Sequence, residues 1–102
     1  MLKTMTFFER FETDILAQTK TITIRDASEK DYEIGNVVPV STFEDGREFC
    51  HVKVLSVKAI DFDEINDLHA EQENMTLPQL KEVIEEIYPG EKQLYVIDFE
   101  LA

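Results

Sequence analysis

The sequence predicts an α+β fold, with an antiparallel sheet curled into a small barrel and helices packed beside it. Three observations lead there. Segments with the period-two alternation of strands occupy the middle and the end of the chain. Capping-box starts followed by apolar stripes at helical spacing lie on either side of them, and no βα unit repeats as a parallel sheet would need.

The first element is signalled by Thr6-Phe7-Phe8-Glu9, a capping-box pattern in which the Thr6 hydroxyl and the Glu9 carboxylate would satisfy the first free amides of a helix. Phe7, Phe8, Phe11, Ile15 and Leu16 then share one helical face, so a first helix with a core-facing aromatic stripe is expected. At Thr19 the pattern changes. Residues 19–25 are rich in β-branched side chains and alternate, with Ile22 and Ile24 on one face and Thr21, Thr23 and Arg25 on the other. Gly35-Asn36 turns the chain into Val37, Val38 and Val40, where Pro39 argues for an edge or a bulge. Asp45-Gly46 is a hairpin signal, and residues 49–58 continue as the partner strand.

Asp61 with Glu64 marks a second helix start, with Phe62, Ile65 and Leu68 on one stripe and an end expected near His69. Thr76-Leu77-Pro78-Gln79 marks a third, its proline tolerated in the first turn; Leu80, Val83, Ile84 and Ile87 form the apolar face and Pro89-Gly90 the stop. Residues 93–101 set Tyr95, Ile97, Phe99 and Leu101 against Leu94 and Val96, the pattern of a central strand covered on both faces.

At 102 residues and 43% hydrophobic composition, the chain is expected to form one domain over residues 1–102, with a core that needs no disulfide. Twenty-two acidic residues against ten basic ones give a formal charge of −12, which repels phosphate backbones and anionic membranes. A polyanionic nucleic acid and a membrane are therefore not expected as partners, whereas a neutral small molecule is tolerated. The single Cys50 can form no internal disulfide, and no cluster of Cys and His has the spacing of a zinc site. Residues 1–8 lack the apolar run of a signal peptide and no stretch approaches membrane-spanning length, so a cytoplasmic location is expected.

Two polar segments exceed what packing requires, residues 20–25 and residues 69–75, the second read as the connection between two helices. Taken alone, each residue also has a bland reading. Lys20 would be a solvated lysine at a helix end, Thr23 a strand threonine chosen for β-propensity, and Glu73 a solvated carboxylate near a helix N-terminus. Arg25 would pair with Asp26 or another carboxylate. Cys50 and His51 are adjacent on a strand and point apart, a poor nucleophile and base pair, and His69 reads as structural.

The pieces TFFERF, DILA, KTITIRD, FED, FC, HAEQENMTL, LK, VI and IYPG, in this order and spacing, are similar to the bacterial YqfB-type N(4)-acetylcytidine amidohydrolases of the ASCH superfamily. The resemblance spans essentially the whole chain. It implies a PUA-like β-barrel with flanking helices, and an amide hydrolysis without metal or cofactor in which a modified nucleoside, N(4)-acetylcytidine, gives cytidine and acetate. It also implies Lys20 as proton acceptor, Thr23 as nucleophile and Glu73 as proton donor. Arg25 and Asn74 are then the candidates for binding substrate, Arg25 by orienting the base or stabilising an oxyanion.

Each implied role has a physical condition. Lys20 is a base only as a neutral amine, which needs burial or a neighbouring cation such as Arg25. Positions 20 and 23 have opposite strand parity, so Lys20 must lie in an irregular junction to reach Thr23. The family commonly has Gly two positions before this lysine; Gln18 stands there, which implies a modestly strained left-handed turn. The alternative is a non-catalytic PUA-like RNA-binding module. A phosphate binder needs a basic stripe, and here the basic residues are interrupted by acidic ones.

Overall fold

A computed structural model describes residues 4–29 and 31–102. The chain runs β1 (Met5–Phe7), a 3-10 turn (Glu9–Phe11), α1 (Glu12–Leu16), β2 (Ile22–Arg25), β3 (Val37–Thr42) and β4 (Glu48–Asp61), then a 3-10 turn (Phe62–Glu64), α2 (Asp67–Gln72), α3 (Leu77–Ile87) and β5 (Gln93–Leu101). The five strands form one sheet in the order β1-β3-β4-β5-β2, so β1 and β2 are its two edges. Short helices and a single curled sheet make the fold α+β, as the sequence predicts.

One expectation fails at the start. Residues 5–7 are not the first turn of a helix but a strand, paired parallel to β3 with Met5 opposite Val40 and Phe7 opposite Thr42. The sheet is therefore antiparallel in every pairing but this one. The local capping-box pattern loses to a distant partner: the Glu9 amide donates to the Glu44 carboxylate at 2.9 Å, across 35 residues of chain. Helical structure begins two residues later than expected, and Leu16, assigned to the buried stripe, is 44% exposed.

β3 and β4 are joined through the expected turn, with Gly46 at φ +68°. The bulge suggested by Pro39 lies between Val40 and Ser41, and Pro39 sits below the stretch where β1 pairs, so its missing amide costs no ladder bond there. β4 shifts register again between Val54 and Ser56, which increases the curl of the sheet.

β5 is covered on both faces, as its alternation predicts. Ile97 and Phe99 join Met5, Phe7, Val40, Val52 and Val54 in one core cluster. Leu94 and Val96 join Ile22, Ile24, Ala70, Leu80 and Ile84 in a second, between the sheet and helices α2 and α3. The Asp61–Glu64 capping box is present but caps the 3-10 turn; α2 is capped separately by Asn66 and extends past His69 to Gln72. Leu68 is exposed, not part of the stripe. The third start is as expected, with Thr76 and Gln79 capping α3 reciprocally. Among the described residues no helix is long and apolar enough to cross a membrane.

Candidate active site

A cavity of about 200 Å³ opens between the two edge strands, where a closed barrel would have a ladder of backbone hydrogen bonds. Thr6 and Phe7 of β1 line one side and Thr23 and Arg25 of β2 the other, with Lys20 and Glu73 beside them. Phe8, Phe11 and Phe43 line it too, as do Met75 and Val83, Ile84, Ile87 and Tyr88 from α3 and its end. An apolar pocket thus surrounds four buried polar side chains, Lys20, Thr23, Arg25 and Glu73, each less than one-tenth exposed.

Lys20 is not a solvated lysine. It is 4% exposed, and its ammonium nitrogen donates to the Ile22 carbonyl at 3.0 Å and forms a close hydrogen bond with Glu73 Oε1. It lies before β2, in the irregular junction that the parity argument requires. The rings of Phe7 and Phe11 lie 5.5 and 5.0 Å from Nζ. Burial above all, and then the charge of Arg25, pull the Lys20 pKa down from 10.5 to about 7, with Asp14 opposing. Truncation here removes one partner of a buried pair, not a free surface side chain.

Thr23 Oγ1 accepts a hydrogen bond from Arg25 Nε at 2.8 Å. Arg25 also donates from Nη2 to the Thr6 carbonyl at 2.6 Å and lies over the Phe7 ring. These contacts lie within the pocket. Alternation on β2 puts Ile22 and Ile24 into the core under the helices and turns Thr23 and Arg25 to the other side. Of the polar row read from the sequence, Thr23 and Arg25 are thus buried and face the cavity, while Thr21 is half-buried and lies outside it.

Glu73 is the C-cap residue of α2 and 4% exposed. The segment at residues 69–75 is therefore mostly the helix itself, and the expectation of a connecting loop is corrected. His69 is structural, its Nδ1 accepting the Asn66 amide at 3.1 Å. Asn74 stands apart from the other candidates. It is exposed, has the left-handed φ of +56°, and donates from Nδ2 to Asp14 Oδ1 at 3.2 Å. It does not line the cavity. Phe43, which the sequence marks only as part of the FED piece, lines it: it is two-thirds exposed, and its ring meets Phe8 edge to face at 5.4 Å between centroids. Gln18 adopts φ +61°, the left-handed turn that a glycine would take without strain.

A curled α+β sheet with a buried polar cluster between its free edges defines the class, and the ASCH domain family model matches residues 3–100. The chain belongs to the ASCH domain family. It is 68% identical over 96 residues to a Vibrio vulnificus protein named N(4)-acetylcytidine amidohydrolase, covering 94% of this chain and 92% of that protein. A Shewanella protein of the same name is 56% identical over 99 residues, covering 97% and 96%. Among solved structures, an ASCH domain from Lactobacillus crispatus superposes with a TM-score of 0.78 at 14% identity, covering 97% of this chain and 79% of that one, a likeness of fold.

Proposed function

We propose that this chain hydrolyses N(4)-acetylcytidine to cytidine and acetate, with Thr23 as nucleophile, Lys20 as base and Glu73 as acid. The observation that carries the reading is that Lys20 and Glu73, 53 residues apart in sequence, meet as a buried pair in the cavity that Thr23 also lines. The name shared by relatives of 52–68% identity supports the substrate.

The buried pair supports two tasks at once. With one proton between them arranged as amine and carboxylic acid, Lys20 accepts a proton while Glu73 has one to donate. Lys20 takes the Thr23 hydroxyl proton as Oγ1 attacks the acetyl carbon. Arg25 Nε, already aimed at Oγ1, stabilises the negative charge on that oxygen. Collapse of the tetrahedral intermediate breaks the C–N bond, and Glu73 protonates the departing cytidine nitrogen. The ammonium of Lys20 then returns a proton to the Glu73 carboxylate along their hydrogen bond. The free amine activates water against acetyl-Thr23, and the products are acetate and the restored hydroxyl.

The pyrimidine is placed against the aromatic wall of Phe8 and Phe43, whose flat faces suit a planar heterocycle, with the acetyl arm toward Thr23. Asn74, outside the cavity, is not needed as a base contact.

Incubating the purified protein with N(4)-acetylcytidine and following cytidine release tests the reading. Turnover lost in both Lys20→Met and Thr23→Ala is expected. A folded wild-type protein without turnover, but with salt-dependent RNA binding, would replace this reading with the binding module.

A further inference from the structure

We propose that Asp14 is a positioning residue of this site, acting with Asn74 to hold Lys20 against Glu73. The inference rests on the assignment of Lys20 and Glu73 as base and acid. Three consecutive residues at the end of α2 each reach across to α1 or to the segment between α1 and β2. The Gln72 carbonyl accepts the Thr21 amide at 2.8 Å, Glu73 pairs with Lys20, and Asn74 Nδ2 donates to Asp14 Oδ1 at 3.2 Å. The pair that would move protons is thus flanked by a tether on each side.

Asp14 holds the lysine's turn through its backbone and Asn74 through its side chain. Its carbonyl accepts the amides of Thr19 and Lys20 at 3.0 and 3.1 Å and the Thr19 hydroxyl at 3.1 Å, fixing the turn from which the Lys20 side chain leaves. Its carboxylate holds Asn74, the residue after Glu73. The left-handed backbone of Asn74, which asparagine tolerates better than most residues, sends the chain away after Glu73 and turns the amide back toward α1. One residue therefore sets both partners of the pair.

The carboxylate also acts through its charge. The charged groups facing Lys20 are Asp14 from α1, Arg25 from β2 and Glu73 from the end of α2, while Phe7 of β1 and Phe11 of the 3-10 turn present their rings to it, with Arg10 of that turn on the same Phe11 ring. Asp14 favours the ammonium form and Arg25 the free amine. Removing the Asp14 charge should make Lys20 easier to deprotonate.

Two variants separate the roles. Asp14→Asn keeps an oxygen that accepts from Asn74 and removes the charge. The Lys20 titration, followed by NMR on the side chain without substrate, is expected to move to lower pH by roughly half a unit. The basic limb of kcat/KM for N(4)-acetylcytidine should move with it. Asn74→Gly keeps the left-handed turn and removes the tether; kcat should fall roughly tenfold with KM within about twofold and no loss in Tm. An unmoved Lys20 titration in Asp14→Asn, full kcat in Asn74→Gly, or a fall in Tm that accounts for the lost activity would each overturn the proposal. If Lys20→Met retained turnover, the base assignment would fail instead, and the substrate-free titration would still report on Asp14.

Discussion

Arg25 and Thr6 stand on opposite edges of the sheet, yet Arg25 Nη2 donates to the Thr6 carbonyl at 2.6 Å. A side chain thus bridges the gap that a barrel would close with backbone. The gap is what leaves room for the cavity, and the guanidinium that spans it also holds Thr23. Lysine has neither the length nor the fork to make both contacts. Arg25→Lys is therefore expected to cost about 2 kcal/mol, a fall in Tm of roughly 10 °C, together with most of the activity. Thermal melts and cytidine release measured on the same preparation check both.

The lowered pKa of Lys20 sets the pH dependence. In the fold Lys20 loses its proton near pH 7, against 10.5 when unperturbed. Activity that needs the proton shared by Lys20 and Glu73 should fall as the pair loses it above about pH 7. Stability follows the same proton. Between about 7 and 10.5 the unfolded chain holds a proton on this lysine that the folded chain has lost, so this group makes stability rise with pH across that window. Below about pH 7 its burial penalty is fully present. Urea midpoints of the wild type, minus those of Lys20→Met, should increase from pH 7 to pH 9; a flat difference contradicts the shift.

Gln18 is strained where glycine would not be, and Gln18→Gly should stabilise the fold by about 0.5 kcal/mol, the relief of a left-handed side chain partly offset by unfolded-chain entropy. A rise of a few degrees in Tm, with kcat unchanged, is the expected result.

Phe43 is exposed enough that truncating it should hardly change stability, yet it forms part of the wall proposed for the pyrimidine. Phe43→Ala should raise KM for N(4)-acetylcytidine about tenfold and leave kcat within about twofold. A large loss of kcat with KM unchanged would place the base elsewhere.

Much of this was legible in the sequence because it is local. The Thr76–Gln79 cap, the Asp45-Gly46 turn and the two-faced alternation of β5 depend on neighbours a few residues away, and the structure has all three. The failures depend on distant partners. Thr6 and Glu9 form a cap pattern on paper, but Thr6 pairs beside Ser41 and the Glu9 amide is taken by Glu44. The site divides the same way. The positions of Lys20, Thr23 and Glu73 came from motif resemblance and that of Arg25 from the polar row of β2, whereas their burial, the Lys20–Glu73 pairing and the Arg25 bridge depend on where α2 and β1 dock. Asn74 lies beside Glu73 in sequence, but its left-handed backbone turns it out of the cavity, a direction no motif carries.

The most direct test is the fate of the acetyl group. Rapid quenching during turnover of N(4)-acetylcytidine, followed by mass spectrometry of the peptide containing Thr23, should reveal one added acetyl on Thr23 that forms and decays as fast as turnover. Thr23→Ser should retain a measurable part of the activity and Thr23→Ala almost none. An unmodified peptide under conditions that slow deacylation, together with an active Thr23→Ala, would contradict the account and leave Lys20 activating water directly.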